Sequence, residues 1–222
     1  MSLKNKRILI TAGPTWLAID RVRVISNTAT GETGILLAER LQGIGAKVTL
    51  LLGAAEHQCL NKKIELIRFK FFGELRHLIK KELTSKKYDI AIHTAAVADY
   101  RPKNIFRKKI KSDIKEWKLT LVPTAKIIDL IRTLNSSLFI VGFKFETTQA
   151  KRILIRKAEE LIQRANLDLA VANTVAKNKY LAYIVDNYNQ TCGPIHNKKD
   201  TAGKLINLIR RKYGKAKNHR QD

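Results

Sequence analysis

Apolar residues recur along this chain in two alternating rhythms. RILITA, residues 7–12, is a short continuous apolar run of the kind expected for a strand buried on both faces. From Gly34 onward Leu37, Leu41 and Ile44 fall at i, i+4 and i+7, which predicts a helix whose core stripe ends at Gly45. KVTLLLG, residues 47–53, predicts a second buried strand, so these three pieces make a βαβ unit with its turn at the carboxyl end of the sheet. The rhythm repeats with strand-like IELIRF, residues 64–69, a helix carrying Phe72, Leu75, Ile79 and Leu83, and the strand YDIAIHTA from Tyr88. After Ala95 it fails for about 20 residues, and a polar stretch of that length is either a functional loop or a disordered one.

Beyond that stretch come KLTLV, residues 118–122, a helix over about residues 124–134, and the strand LFIVGF, residues 138–143. A helix with Ala150, Leu154, Ala158 and Leu161 on one face follows, then two strands, LDLAVAN at 167–173 and LAYIVD at 181–186. A last helix starts at Thr201, capped by Asp200 or Thr201, and carries Leu205, Leu208 and Ile209. Alternating strands and helices predict a doubly wound α/β fold, a mainly parallel sheet with helices on both faces, Rossmann-like and in one domain. That domain spans residues 1–209, and the charge run RRKYGKAKNHRQD, residues 210–222, reads as a frayed basic tail. Ligands of such sheets lie beyond the carboxyl ends of the strands, at a topological switch point.

Composition changes this picture in three places. The N-terminus is apolar only over the short ILITAG run, neither a signal-peptide core nor a membrane span, which predicts a cytosolic protein without a membrane partner. Cys59 and Cys192 lack metal or redox spacing and read as structural, and the five scattered histidines build no metal site. With 43 basic and 19 acidic residues the net charge is +24, which raises the question of nucleic acid. The cations are spread along the chain and no aromatic platform is interleaved with them, so a solvated basic surface is the preferred reading.

Candidate chemistry gathers in VRVISNTATGETG, residues 22–34. Gly31 and Gly34 open a helix, where exposed amides carry partial positive charge and glycines let a phosphate approach; such pairs also serve tight packing. Arg23, Ser26 and Asn27 place polar groups just after the first strand, although Asn27 could bond its own backbone. In AAVADYRPK, small Ala95 and Ala96 would let a ligand lie against the backbone, and Asp99 would face an amine, hydroxyl or metal, or else cap a turn or pair with Arg101. RKKIK, residues 107–111, is a cationic cluster in the irregular loop, either solvated or able to follow a phosphate.

Taken together, TAGPT-x3-ID-x-VR-x-ISN-x3-G-x2-G, AAVADYRP, K-I-K, VGF-x2-E and D-x3-AN, in this order from about Arg7 to Asn173, resemble phosphopantothenoylcysteine synthetase, the ligase of coenzyme A biosynthesis. In many bacteria that ligase is fused behind a flavin-dependent decarboxylase, and here the resemblance implies a stand-alone ligase. It implies joining of 4′-phosphopantothenate to cysteine through an acyl-nucleotidyl anhydride made from CTP or ATP, with Mg²⁺ accompanying the triphosphate, in a homodimer. By position, Asn27 with its neighbour Arg23 would serve the acyl intermediate and Lys109 its turnover. Gly31, Gly34, Asp99, Lys109, Ala125, Lys126, Ile127, Ile128, Phe143 and Asn173 would bind nucleotide, and Asn27, Ala95 and Ala96 the substrate; a metal ligand is not assigned.

Departures concern the nucleotide. Two lysines that bacterial CTP-dependent members carry before the D-x3-AN strand fall here at Leu161 and Ala165, and Lys157 or Lys144 is the candidate replacement. GFKFET is nearer the eukaryotic and archaeal pattern, the loop motif ends in Ser112, and NTATG replaces N-x-SSG. Two other classes remain: a basic nucleic-acid-binding α/β module, and an NAD(P)-dependent Rossmann-type reductase. The reductase is disfavoured because no GxGxxG follows the first strand and no acidic residue ends the second.

Overall fold

The computed structural model describes residues 2–111 and 113–218, the side chains of residues 215–218 excepted. In chain order the elements are β1 (Arg7–Ala12), β2 (Trp16–Ala18), β3 (Val24–Ser26), α1 (Glu32–Gly43), β4 (Lys47–Leu52), β5 (Glu65–Arg68), α2 (Phe72–Ser85), β6 (Ile90–His93), β7 (Tyr100–Pro102) and β8 (Leu121–Pro123). They continue with α3 (Ile127–Leu134), β9 (Phe139–Phe145), α4 (Lys151–Ala165), β10 (Leu169–Ala176), β11 (Lys179–Asp186), β12 (Thr191–Ile195) and α5 (Lys198–Asn218). Eight strands form one sheet in the order β12-β11-β10-β9-β6-β1-β4-β5. The six from β5 to β10 are parallel, and β11 and β12 extend the β10 edge in antiparallel fashion. The doubly wound α/β fold predicted from the hydrophobic pattern is the one observed.

Side-chain alternation explains the two-sided core. In β1, Ile8, Ile10 and Ala12 pack toward α1 and α5, while Leu9 packs on the opposite face with α2, α3 and α4. Both faces are covered, so the central strands read as unbroken apolar runs. The chain leaves β1 toward β4 on one side and leaves β6 toward β9 on the other. The switch point therefore lies between β1 and β6.

Several boundaries differ from the sequence reading for local reasons. KLTLV contributes only β8, which pairs with β7 in a separate hairpin outside the main sheet. Helix α3 begins at Ile127 because Thr124 is held extended, its N–H donating to the Asp99 carbonyl at 2.9 Å and its Oγ1 to the Ala98 carbonyl at 2.6 Å. Ile44 is 43% exposed at the end of α1, and the buried stripe there is Ile35, Leu37, Ala38 and Leu41. On α4 the stripe runs through Leu154, Ala158, Ile162 and Ala165 rather than Leu161. Edge strand β12, TCGPI, was not foreseen; its proline is tolerated at an edge because no ladder N–H is needed there.

Helix α5 starts three residues before the expected Thr201. Asn197 caps it, its Oδ1 accepting the Asp200 N–H at 2.7 Å. The helix also runs past Ile209 to Asn218, so the described part of the basic segment is helical rather than frayed. Tyr213 is buried there, edge-on to Phe139, and donates to Asp89 Oδ1 at 2.6 Å. Residues 219–222 and Ser112 lie outside the described residues.

Gly31 takes the left-handed conformation, φ 79°, at the start of α1, and Gly34 sits where the helix presses on β1. A Cβ at Gly34 would stand 2.3 Å from Ala12 Cβ and 2.7 Å from Thr94 Oγ1. Gly34→Ala is therefore expected to cost about 1–3 kcal/mol through overpacking, read as a lower urea midpoint. An unchanged midpoint would show that α1 can lift off the sheet freely.

Candidate functional site

Beyond the carboxyl ends of β1, β6, β9 and β10 opens a cavity of about 740 Å³, within the range of small-molecule sites. It forms because the chain keeps pairing after β1 and β6 have ended. Ala96 N–H donates to the Gly13 carbonyl at 3.0 Å, Thr15 N–H to the Ala96 carbonyl at 3.3 Å, and Ala98 N–H to Thr15 Oγ1 at 3.1 Å. The two sequence segments TAGPT and AAVAD thus lie side by side as the cavity floor. Asn27, arriving from β3, donates through Nδ2 to the same Ala96 carbonyl at 3.1 Å, so it is tied to the opposite segment and not to its own backbone.

One wall is the N-terminus of α1, where the Gly31 N-cap has no side chain and the one side-chain acceptor is Thr30 Oγ1, 3.5 Å from the Glu32 N–H. Amides without helical partners there favour an anion. The other wall comes from β8–α3, β9, α4 and β10. Of the residues singled out from sequence, Asn27, Gly31, Gly34, Ala95, Ala96, Asp99, Ala125, Lys126, Ile127, Ile128, Phe143 and Asn173 all line this one cavity. Asp99 pairs with Lys126 at 2.5 Å rather than with Arg101.

Arg23 and Lys109 are not among the lining residues. Arg23 reaches instead into the irregular loop: Nη2 donates to the Ile110 carbonyl at 3.0 Å and the guanidinium lies 5.3 Å from the Trp117 ring. Beneath it Asp20 is buried and accepts the N–H groups of Val22 at 2.8 Å, Arg23 at 2.7 Å and Ile110 at 3.2 Å. These bonds, that of Val22 first, hold the Asp20 carboxyl below its ordinary range. Together Arg23 and Asp20 anchor Ile110, the centre of K-I-K, and so tie the β2–β3 hairpin to the irregular loop. Lys109 is exposed beside that anchored residue. Asp20 carried no assigned role in the sequence reading, although the i,i+3 Asp–Arg spacing within a turn was a signal for it.

The cavity's cations answer the question posed by Leu161 and Ala165. Leu161 lines the cavity, and Ala165 is buried in the core, where a lysine has no room. Lys157 is engaged by Glu160 at 2.7 Å outside the lining, whereas Lys144 lies within it. Two further cations were missed: Arg164, which holds Asp129 through two 2.8 Å bonds, and Lys198 at the start of α5, which pairs with Glu32. Lys198 was hidden because the helix start was placed at Thr201.

His93 ends β6 under the cavity, buried, with Nδ1 sharing a 2.7 Å hydrogen bond with Thr11 Oγ1. Burial pushes its pKa down to about 4, so the ring is neutral at physiological pH. Among the described residues no group of three His, Cys, Asp or Glu side chains could hold a metal, and no helix is long and apolar enough to cross a membrane.

The profile of the DNA/pantothenate metabolism flavoprotein C-terminal domain family matches residues 3–213. The chain belongs to this family. Among its relatives is the coenzyme A biosynthesis bifunctional protein CoaBC of Thermococcus kodakarensis, 41% identical over 175 residues, covering 78% of this chain and 42% of the relative. The protein of the same name from Borreliella burgdorferi is 33% identical over 215 residues, covering 93% and 53%. The chain thus spans about half the length of the curated relatives it matches. The DNA/pantothenate metabolism flavoprotein of Streptococcus pneumoniae superposes with a TM-score of 0.82 at 26% identity, covering 93% of this chain and 99% of that one. A Cab2 variant in complex with phosphopantothenate-cysteine shares the fold, TM-score 0.75, at 18% identity over 99% of this chain and 90% of that one.

The buried neutral His93 of this family member makes a pH prediction. The unfolded chain takes up a proton below about pH 6.5 that the folded chain refuses until about pH 4, so stability falls as the pH drops through that window. The loss is on the order of 3 kcal/mol across it. Denaturant titrations at several pH values should show this slope in the wild type and a shallower one in His93→Gln; equal slopes would exclude His93 as the source.

Proposed function

We propose that this chain is a phosphopantothenate–cysteine ligase. The observation that carries the reading is the convergence, in one cavity, of a glycine-capped helix N-terminus, a backbone floor of small residues bridged by Asn27, and four cations from four separate stretches of the chain. In the first step a carboxylate oxygen of 4′-phosphopantothenate attacks the α-phosphorus of CTP or ATP, forming an acyl-nucleotidyl anhydride as pyrophosphate leaves. In the second, cysteine's amine attacks the acyl carbon; a C–N bond forms, the acyl C–O bond breaks, the nucleoside monophosphate departs and the amine gives up a proton.

The cavity has a part suited to each demand. The α1 amides at Gly31 to Gly34 would cradle phosphate, and Lys126, Lys144, Arg164 and Lys198 would balance charge on the triphosphate and departing pyrophosphate. Ala95 and Ala96 leave the floor open to the acyl group, and Asn27, held by the Ala96 carbonyl, would face it. Asp99, Ala125, Ile127, Ile128, Phe143 and Asn173 would receive the base and ribose. The loop anchored by Asp20 and Arg23 would bring Lys109 over the intermediate. Glu32 and Asp99 are the carboxylates lining the cavity and both are ion-paired, and among the described residues no cluster of three metal-ligating side chains stands by, so Mg²⁺ would enter with the nucleotide.

We read the protein as cytoplasmic and as a homodimer. Val22, Tyr100, Ile105 and Leu121 are 45–65% exposed on the β2–β3 and β7–β8 hairpins and the loop between them, an apolar surface suited to a second copy.

Pyrophosphate release with 4′-phosphopantothenate, run separately with CTP and ATP and with and without cysteine, tests the activity. Release with one nucleotide and cysteine-dependent product are expected; no release with either would overturn the reading. Asn27→Asp exchanges the donor to Ala96 for a carboxylate 3.1 Å from its carbonyl. It should lower product formation at least about a hundredfold, the range seen when one preorganised donor is removed, with folding intact. Lys109→Gln should slow turnover of the intermediate, seen as pyrophosphate release outrunning product; wild-type behaviour in either variant would remove that residue from the site.

A further inference from the structure

Read as a nucleotide site, the cavity has an acid at its phosphate cradle. Glu32 occupies the first turn of α1, next to the amides that would hold phosphate, and a carboxylate there opposes an incoming polyanion. Lys198 Nζ donates to Glu32 Oε2, and His57 Nε2 lies 4.0 Å from the same oxygen. The root of Lys198 is fixed by two contacts. Asn197 caps α5 immediately before it, and Arg40 Nη1 of α1 donates to the carbonyl of Lys199 at 2.7 Å.

Lys198 differs in this from the other cavity cations. Lys126, Lys144 and Arg164 are paired with Asp99, Glu146 and Asp129, none of which stands at the α1 amides. The Lys198–Glu32 pair also lines a second cavity of about 530 Å³, framed by Asn178, Lys179, Tyr180 and His196. The pair thus borders both cavities, with side chains 30% and 37% exposed and room to separate.

We propose that Lys198 is a triphosphate ligand and that Glu32 is its positioning residue. In the free protein Glu32 neutralises and parks the ammonium beside the cradle. When nucleotide enters, the ammonium passes from the carboxylate to phosphate oxygens, a transfer that a point charge on a four-carbon stem can make without backbone movement. This deepens the ligase reading and rests on it.

Calorimetric titration of CTP and of ATP, each with Mg²⁺, into wild type, Lys198→Met and Glu32→Gln tests it, with pyrophosphate release measured on the same samples. Lys198→Met should weaken nucleotide binding about tenfold or more, the loss of one charge-assisted bond, with the KM for 4′-phosphopantothenate unchanged. Glu32→Gln should bind nucleotide at least as tightly as wild type, and Lys198→Arg should retain most of the affinity. If the pair merely tethers α5 to α1, both variants lower the melting temperature and leave nucleotide affinity within about twofold of wild type; that result overturns the proposal, as does equal weakening in Glu32→Gln. Wild type that binds nucleotide through Lys198 but releases no pyrophosphate would sink the ligase reading alone, and wild type that binds neither nucleotide would sink both.

Discussion

The site depends on the backbone pairing that continues past the ends of β1 and β6. Inside the sheet these strands are held in parallel register; beyond it, Gly13, Thr15, Ala96 and Ala98 keep exchanging hydrogen bonds where a doubly wound fold ordinarily opens its crevice. Buried backbone groups must be satisfied, and here each segment satisfies the other. The Ala96 carbonyl takes a second donor, Asn27 Nδ2. One oxygen therefore couples the floor to the hairpin that carries Asn27. That hairpin, through Asp20 and Arg23, is coupled in turn to the loop bearing Lys109.

A second constraint is the distance at which α1 lies on the sheet. Gly34 permits helix and strand to touch where any Cβ would collide with Ala12, and Gly31 turns the chain into the helix through a left-handed conformation. The two glycines that look like a phosphate motif thus have separate structural duties, one of turning and one of packing. Both leave the first-turn amides open to the cavity. This arrangement differs from a dinucleotide fingerprint because the cavity-lining residue before the helix is an asparagine held from across the switch point.

Charge follows the same logic of placement over composition. The +24 net charge is carried by cations along the whole chain, but the cavity is lined by only a few of them, brought together from the N-cap of α3, β9, α4 and α5. Leu161 and Ala165 leave α4 without the lysines expected there, and Arg164 supplies that helix's charge from an adjacent position. The core decides this: Ala165 packs among buried side chains of the sheet, whereas Arg164 points past Asp129 to the cavity edge.

Much of this was determined by sequence alone. Short continuous apolar runs bounded by turn residues and alternating with helical stretches fit strands covered on both faces, so RILITA, KVTLLL and FIVGF pointed to a parallel sheet with helices on each side. Most of the residues singled out by motif spacing do meet in one cavity, because strand ends and the turns after them are tied to local pattern. Tertiary structure alone decided the rest. Arg23 reaches the Ile110 carbonyl and Trp117, distant in sequence, and Asp20 gained a role for the same reason. Arg164 and Lys198 entered because helices α4 and α5 dock with those side chains toward Asp129 of α3 and Glu32 of α1. A periodic pattern records which face of an element is buried, but not what the exposed end of that element will meet across a sheet.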